Sequence, residues 1–175
     1  MDLVLIFCKL SLAAMFVIST VTKLRDLPAL AEHIESTVRL PMRFAPALAR
    51  AVVAAEAVVV AALVLAGRIG FLSALAVLAG FTLYLAHVIR SGRAASCGCT
   101  GSSGADVSGI HLVRNGIALA IAGTGLFVPQ APLSGHLLEY AVLAAPSALF
   151  GGALLYLAEL REFVTLRPVD VGARG

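Results

Sequence analysis

In 175 residues the chain is 60% apolar and 13% charged, with no Trp and a mean hydropathy of +0.98, whereas water-soluble domains carry roughly 25% charge and roughly 45 to 50% apolar residues. This composition excludes an ordinary soluble enzyme, and so apolar a chain with a net charge of only +3 cannot stay solvated and disordered. The pI of 9.0 does not mark a nucleic-acid binder, because the cations are few and stand at the ends of apolar runs.

A helix needs roughly 20 apolar residues to cross a bilayer core of about 30 Å. Five segments reach or approach that length: 3–22, 47–67, 69–89, 109–128 and 137–158. The first begins Met1-Asp2 without a basic stretch and stays apolar longer than a signal peptide core, so it reads as a retained span. Residues 23–46 follow, mixing charges with Leu27, Leu30, Ile34 and Val38 at helical spacing. That pattern predicts an amphipathic helix at the membrane interface. Only Arg68 interrupts the second and third spans, which predicts a tight hairpin. Residues 90–108 are rich in Gly, Ser and Ala and contain Cys97 and Cys99, while Pro129, Pro132 and Gly135 mark a short turn before the last span. The expectation is an all-α integral membrane helical bundle of about five transmembrane helices. It forms a single domain over 1–160, followed by a short polar tail, 161–175.

Five spans place the two long connections and the tail on one side, termed here the loop face. That face receives Lys23, Arg25, Arg39, Arg43, Arg90, Arg93, Arg161, Arg167 and Arg174, whereas the opposite face receives Arg68. The positive-inside rule then puts the loop face in the cytoplasm.

Ionisable residues within spans are costly and mark bundle interiors or cavities. Glu56 lies mid-span, and Arg114 lies about 8 Å of helix rise from the loop face, with a stem long enough to reach toward it. A Glu56–Arg114 pair would remove two lone charges from hydrocarbon; an ion pair that only sets helix register is the plainer alternative. Lys23 closes the first span as a surface anchor. Lys9 and Glu139 lie near the opposite face and read as structural. Tyr84 and His87 share one side of the third span, and His111 and Asn115 one side of the fourth.

Cys97-Gly98-Cys99 can close a tight disulfide, since Gly98 accepts the backbone angles needed. Such a ring closes almost no loop, so it adds little stability, and a strained, exposed disulfide suits exchange. His87, His111 or Arg114 would favour the thiolate. Redox chemistry leads, with two other readings open: a soft-metal site for Cu(I) or Zn built from Cys97, Cys99, His87 and His111, or no role at all. Cys8 reads as a buried small hydrophobe.

In order and spacing, these features resemble the MauE family, within the wider group of MauE and DoxX redox-associated membrane proteins. The resemblance covers nearly the whole chain: FVISTVTKL at Phe16 to Leu24, AEAVVVAALVLAG around Glu56, Cys97-Gly98-Cys99 with Gly101, and Leu112-Val113-Arg114-Asn115. It implies a DoxX-like four-helix core plus one helix in the bacterial cytoplasmic membrane. It also implies support of disulfide formation or thiol balance in exported proteins, beside a thioredoxin-like or disulfide-bearing partner. An outline similarity to quinone-linked disulfide-forming enzymes implies a membrane quinone as electron acceptor. Thr100 departs from the aromatic that the family commonly has after the second cysteine.

The combined expectation is a thiol–disulfide redox protein whose catalytic group is Cys97, Cys99, Arg114, His111 and Glu56. A metal-handling protein and a non-catalytic scaffold are the alternatives. Disulfide transfer calls for the loop face in an oxidising compartment, whereas the arginines call for the cytoplasm, and both placements stand.

Overall fold

A computed structural model describes residues 2–38, 43–90, 109–129 and 137–157. The Cys97–Cys99 connection and the tail 161–175 lie outside the described residues. Among the described residues six helices form: α1 Asp2–Arg25, α2 Leu27–Val38, α3 Ala45–Leu65, α4 Arg68–Arg90, α5 Gly109–Phe127 and α6 Leu137–Leu155. All but α2 are long and apolar enough to cross a membrane, so the five expected spans are found, and no strand occurs among the described residues.

The local chemistry explains the breaks. Between α1 and α2, Asp26 accepts a hydrogen bond on Oδ1 from the Ala29 N–H at 3.1 Å, a side-chain cap on the first turn of α2. The hairpin between α3 and α4 is as short as expected. The Ala66 N–H closes α3 on Ala62 O at 2.8 Å, Gly67 turns the chain at φ 50°, and α4 starts at Arg68. A side chain at Gly67 would oppose that left-handed angle.

The packing forms a ring. α1 lies against α3, α3 against α4, α4 against α5, and α5 against α1; α6 is added on the outside of α1. This is a four-helix core plus one. Half of the α1 span is buried, against 17% of the α6 span, which identifies α1 as the central helix. Inside the ring, Leu12, Phe16, Val59, Leu63, Phe71, Leu78, Ala118 and Ala122 make one apolar core. Leu65, Leu83, Phe127, Leu138 and Leu149 are exposed on the outside, as suits a surface in contact with lipid tails.

α2 uses its apolar stripe differently from a free interfacial helix. Leu30 and Ile34 are buried against Ala49 and Val53 in the first turns of α3, with Leu27 and Ala31 packed beside them. The stripe is therefore spent on protein, which fixes α2 to the bundle.

Lipid tails are as apolar as leucine, so helices in a membrane associate by close packing rather than by hydrophobic expulsion, and small residues sit at their contacts. The α1–α6 contact shows this at Gly151, where a β-carbon would stand 2.5 Å from Ser11 O and 3.1 Å from Met15 N. At the neighbouring Gly152 a β-carbon would meet only Ile18 Cδ1, at an ordinary 3.6 Å. Gly151→Ala should therefore lower the melting temperature of the detergent-solubilised protein by separating α6 from α1. Gly152→Ala should leave it unchanged or raise it, since alanine is favoured over glycine in helices by about 1 kcal/mol. Equal effects at the two positions would contradict this account of the contact.

Candidate functional site

The buried charges gather on the loop-face side of the apolar core. Glu56 lies about 16 Å of helix rise into α3 from Ala45, near mid-membrane, and is 1% exposed. Its ion pair is with Lys23, which is 4% exposed. This corrects the expectation that Lys23 anchors α1 at the surface. Helical side chains tilt toward the N-terminus of their helix, so Lys23 reaches back one turn into the bundle. Its Nζ donates to Glu56 Oε1 and, at 2.8 Å, to Ser19 Oγ. Ser19 Oγ in turn donates to Glu56 Oε1 at 3.1 Å, and Thr20 Oγ1 approaches Glu56 Oε2 at 3.5 Å. Phe81 of α4 offers its ring face to the ammonium, 5.1 Å from the centroid.

Arg114 of α5 is also buried, at 4% exposed. Its Nη1 donates to Leu155 O at 3.2 Å, in the last turn of α6. There the carbonyls lack helical partners and the helix dipole is negative, so a guanidinium is well placed. Arg114 Nε lies 3.4 Å from Asn115 Oδ1. Asn115 Nδ2 donates to Thr82 Oγ1 at 3.4 Å, and the Thr82 hydroxyl donates onward to Leu78 O at 2.7 Å.

A cavity of about 20 Å³ lies among these groups, lined by Met15, Phe16, Ser19, Glu56, Leu78, Phe81, Arg114, Asn115 and Leu155. One water molecule needs about 10 to 15 Å³ and two to four polar partners, and this space supplies both. Every span contributes to its wall. Glu56 and Arg114, expected to pair with each other, line one cavity, and the ion pair of the carboxylate is with Lys23.

The other named residues fall as follows. His111 is buried one turn nearer the loop face than Asn115. His87 is exposed near the end of α4, whereas the hydroxyl of Tyr84 is buried. Among the described residues no three His, Cys, Asp or Glu side chains gather as a metal site, and the thiols invoked for one, Cys97 and Cys99, lie outside them. Lys9 donates to Val64 O at 3.2 Å, in the last turn of α3, with Tyr140 5.9 Å from its Nζ. Cys8 is a buried free thiol in the core, as expected. Ser19, Thr20 and the inward turn of Lys23 were not anticipated. Their signal is the spacing of Leu12, Phe16, Ser19 and Lys23, which continues the buried stripe of α1 in steps of three and four.

Breaking a buried pair from one side leaves an uncompensated charge and costs about 3 to 5 kcal/mol, whereas replacing both partners by apolar groups is often neutral. Lys23→Met alone should therefore sharply lower stability in detergent unfolding, and Lys23→Met with Glu56→Leu should recover most of the loss. A double variant no more stable than the single one would refute the pairing.

Among known proteins, the family model for methylamine utilisation protein MauE matches residues 1–128, which is α1 through α5. The four-helix ring and the whole polar centre fall inside that match except for the Leu155 carbonyl. No curated protein and no solved structure matches the chain. Five apolar spans around a buried ionic centre make this an integral membrane protein, and the match over most of its length shows that the chain belongs to the MauE family of methylamine utilisation proteins.

Proposed function

We propose that this protein is a membrane thiol–disulfide redox protein in which Cys97 and Cys99 cycle between disulfide and dithiol. The observation that carries the reading is the position of the polar centre. α4 ends at Arg90 and α5 begins at Gly109, so the connection with the cysteine pair joins two neighbouring helices at the loop face. The first turns of α5 carry His111 and Arg114 beneath that face.

In the forward step, a client thiolate attacks one sulfur of the Cys97–Cys99 disulfide and forms a mixed disulfide. The second client thiolate then displaces the protein sulfur, which leaves a client disulfide and the reduced pair. A membrane quinone, the acceptor that the family resemblance implies, would supply the oxidising power by taking two electrons and two protons from the Cys97–Cys99 dithiol, which would restore the disulfide. Arg114 favours the thiolate form by positive charge, with His111 one turn nearer the loop face as a second group for tuning the thiol; Glu56, held by Lys23, orders the bundle below. The setting is the bacterial cytoplasmic membrane, and the partner is an exported disulfide-bearing protein or a thioredoxin-like protein. In this direction the loop face is on the oxidising side, against the arginine bias.

A mass-shifting maleimide applied to native membranes, with Cys8→Ala as background, should reveal both oxidised and reduced forms of the pair, interconverted by the growth condition. A membrane-impermeant thiol reagent on intact cells should label the reduced form from outside. Either single Cys→Ser variant should abolish client oxidation while the protein still accumulates. A pair that stays reduced under every condition would overturn the redox reading, and labelling only after lysis would place the pair in the cytoplasm.

A further inference from the structure

The cations within the spans differ in what meets their charge. Lys23 has the carboxylate of Glu56, and Arg114 has Asn115 Oδ1 and the terminal carbonyl of Leu155. Lys9 is half-buried, and its ammonium donates to Val64 O at 3.2 Å with the Tyr140 ring 5.9 Å away. Among the described residues no carboxylate is within ion-pair reach of it. A carbonyl in the last turn of a helix carries only part of a charge. An ammonium has three N–H donors, so with Val64 O and the Tyr140 ring served at least one is left for a partner outside the chain.

The height of this group follows from α1. Helical side chains tilt toward the N-terminus of their helix, which for α1 is the opposite-face end. Val64 stands in the last turn of α3, just before the hairpin at Gly67. The ammonium therefore lies where the helices leave the hydrocarbon, at the level of lipid headgroups. An apolar line leads inward from it: Lys9, Ala13, Val17 and Val21 follow one another along α1 at steps of four, and Val17 and Val21 are exposed. α3 takes the flank of α1 that carries Ser19 and Thr20, and α6 takes the flank with Ala14 and Ile18. Val17 and Val21 lie between these flanks, because α3 and α6 both pack on α1 without an extended contact with each other. The result is a shallow, lipid-facing crevice with a cation at its opposite-face end.

We propose that Lys9 and this crevice bind one phospholipid of the opposite-face leaflet, with its phosphate on the Lys9 ammonium and one acyl chain along Val17 and Val21. A half-buried cation whose own chain supplies a carbonyl gains a charge-assisted hydrogen bond and a full counter-charge from a phosphate. Tyr140 beside it is a residue type that favours the headgroup level. The other described charges of this face are Arg68, which opens α4, and Glu139, in the first turn of α6. Two cations against one anion favour a headgroup with net negative charge, such as phosphatidylglycerol, over a zwitterionic one. The site involves no thiol and goes beyond the redox reading.

Native mass spectrometry of the full-length protein, stripped of lipid in detergent and titrated with phosphatidylglycerol, tests this. The wild-type protein should retain one lipid where Lys9→Gln retains several-fold less, and Lys9→Arg should restore it. Val17→Trp, which fills the crevice and leaves the Lys9 to Val64 bond in place, should lower retention as well, so the test does not depend on Lys9→Gln folding. Leu83→Trp on the exposed side of α4 and Arg90→Gln at the loop face should leave retention unchanged. Excess inorganic phosphate should not displace the lipid, and phosphatidylcholine should be retained less. Equal retention by the wild type and Lys9→Gln, no effect of Val17→Trp, or displacement by inorganic phosphate would overturn the proposal.

Discussion

A carboxylate and an ammonium in hydrocarbon have no water to return to, and each is costly until it meets the other. The Lys23–Glu56 pair is that meeting, and the geometry of the bundle follows from it. It sets the height of α1 against α3, because Lys23 reaches the carboxylate only when Ser19 and Thr20 stand level with Glu56. It draws α4 in through the Phe81 ring. It also leaves a polar hollow across which α5 places Arg114 and Asn115. Few of these contacts would be strong in water; in a low dielectric with saturated donors they gain in strength together.

Two kinds of packing meet at α1. On its ring side, long apolar chains and the polar centre set the distances to α3 and α5. On its α6 side the backbones come close, with Gly151 against Ser11 O, so contact replaces charge as the adhesive. The Arg114 bond to Leu155 O joins the two regimes, since it fixes the loop-face end of α6 to α5 and satisfies a terminal carbonyl that lipid cannot. α6 follows the part of the chain that matches the family, and this bond makes it a wall of the site all the same.

The spans, the hairpin at Gly67 and the amphipathic stripe of α2 were legible because each rests on a local rule: length of apolar run, turn chemistry and helical period. The depth of Glu56 and Arg114 was legible for the same reason, as distance along a helix. Partner choice was not. Arg114 and Lys23 are both within reach of Glu56 by helix rise, and the decision depends on which face of α1 meets α3. In a central helix surrounded by neighbours the apolar residues lie on all sides, so the stripe that carries Lys23 inward does not stand out from the rest. Lys9 shows the same limit: its depth matched Glu139, but the structure places its ammonium on a carbonyl of the last turn of α3, a backbone partner that no side-chain pattern announces.

By itself, then, the sequence determined an all-helical membrane bundle, its five spans, the loop face, and the residues whose burial demanded compensation. Those properties depend on composition and spacing along one chain, where the cost of moving polar groups into lipid acts residue by residue. Only the tertiary structure decided that Lys23 compensates Glu56, that Arg114 serves the end of α6, and that space for a water remains among them. Those outcomes depend on the rotation and height of each helix against its neighbours, which are set by close contacts such as Gly151 on Ser11 and by pairings far apart in the chain.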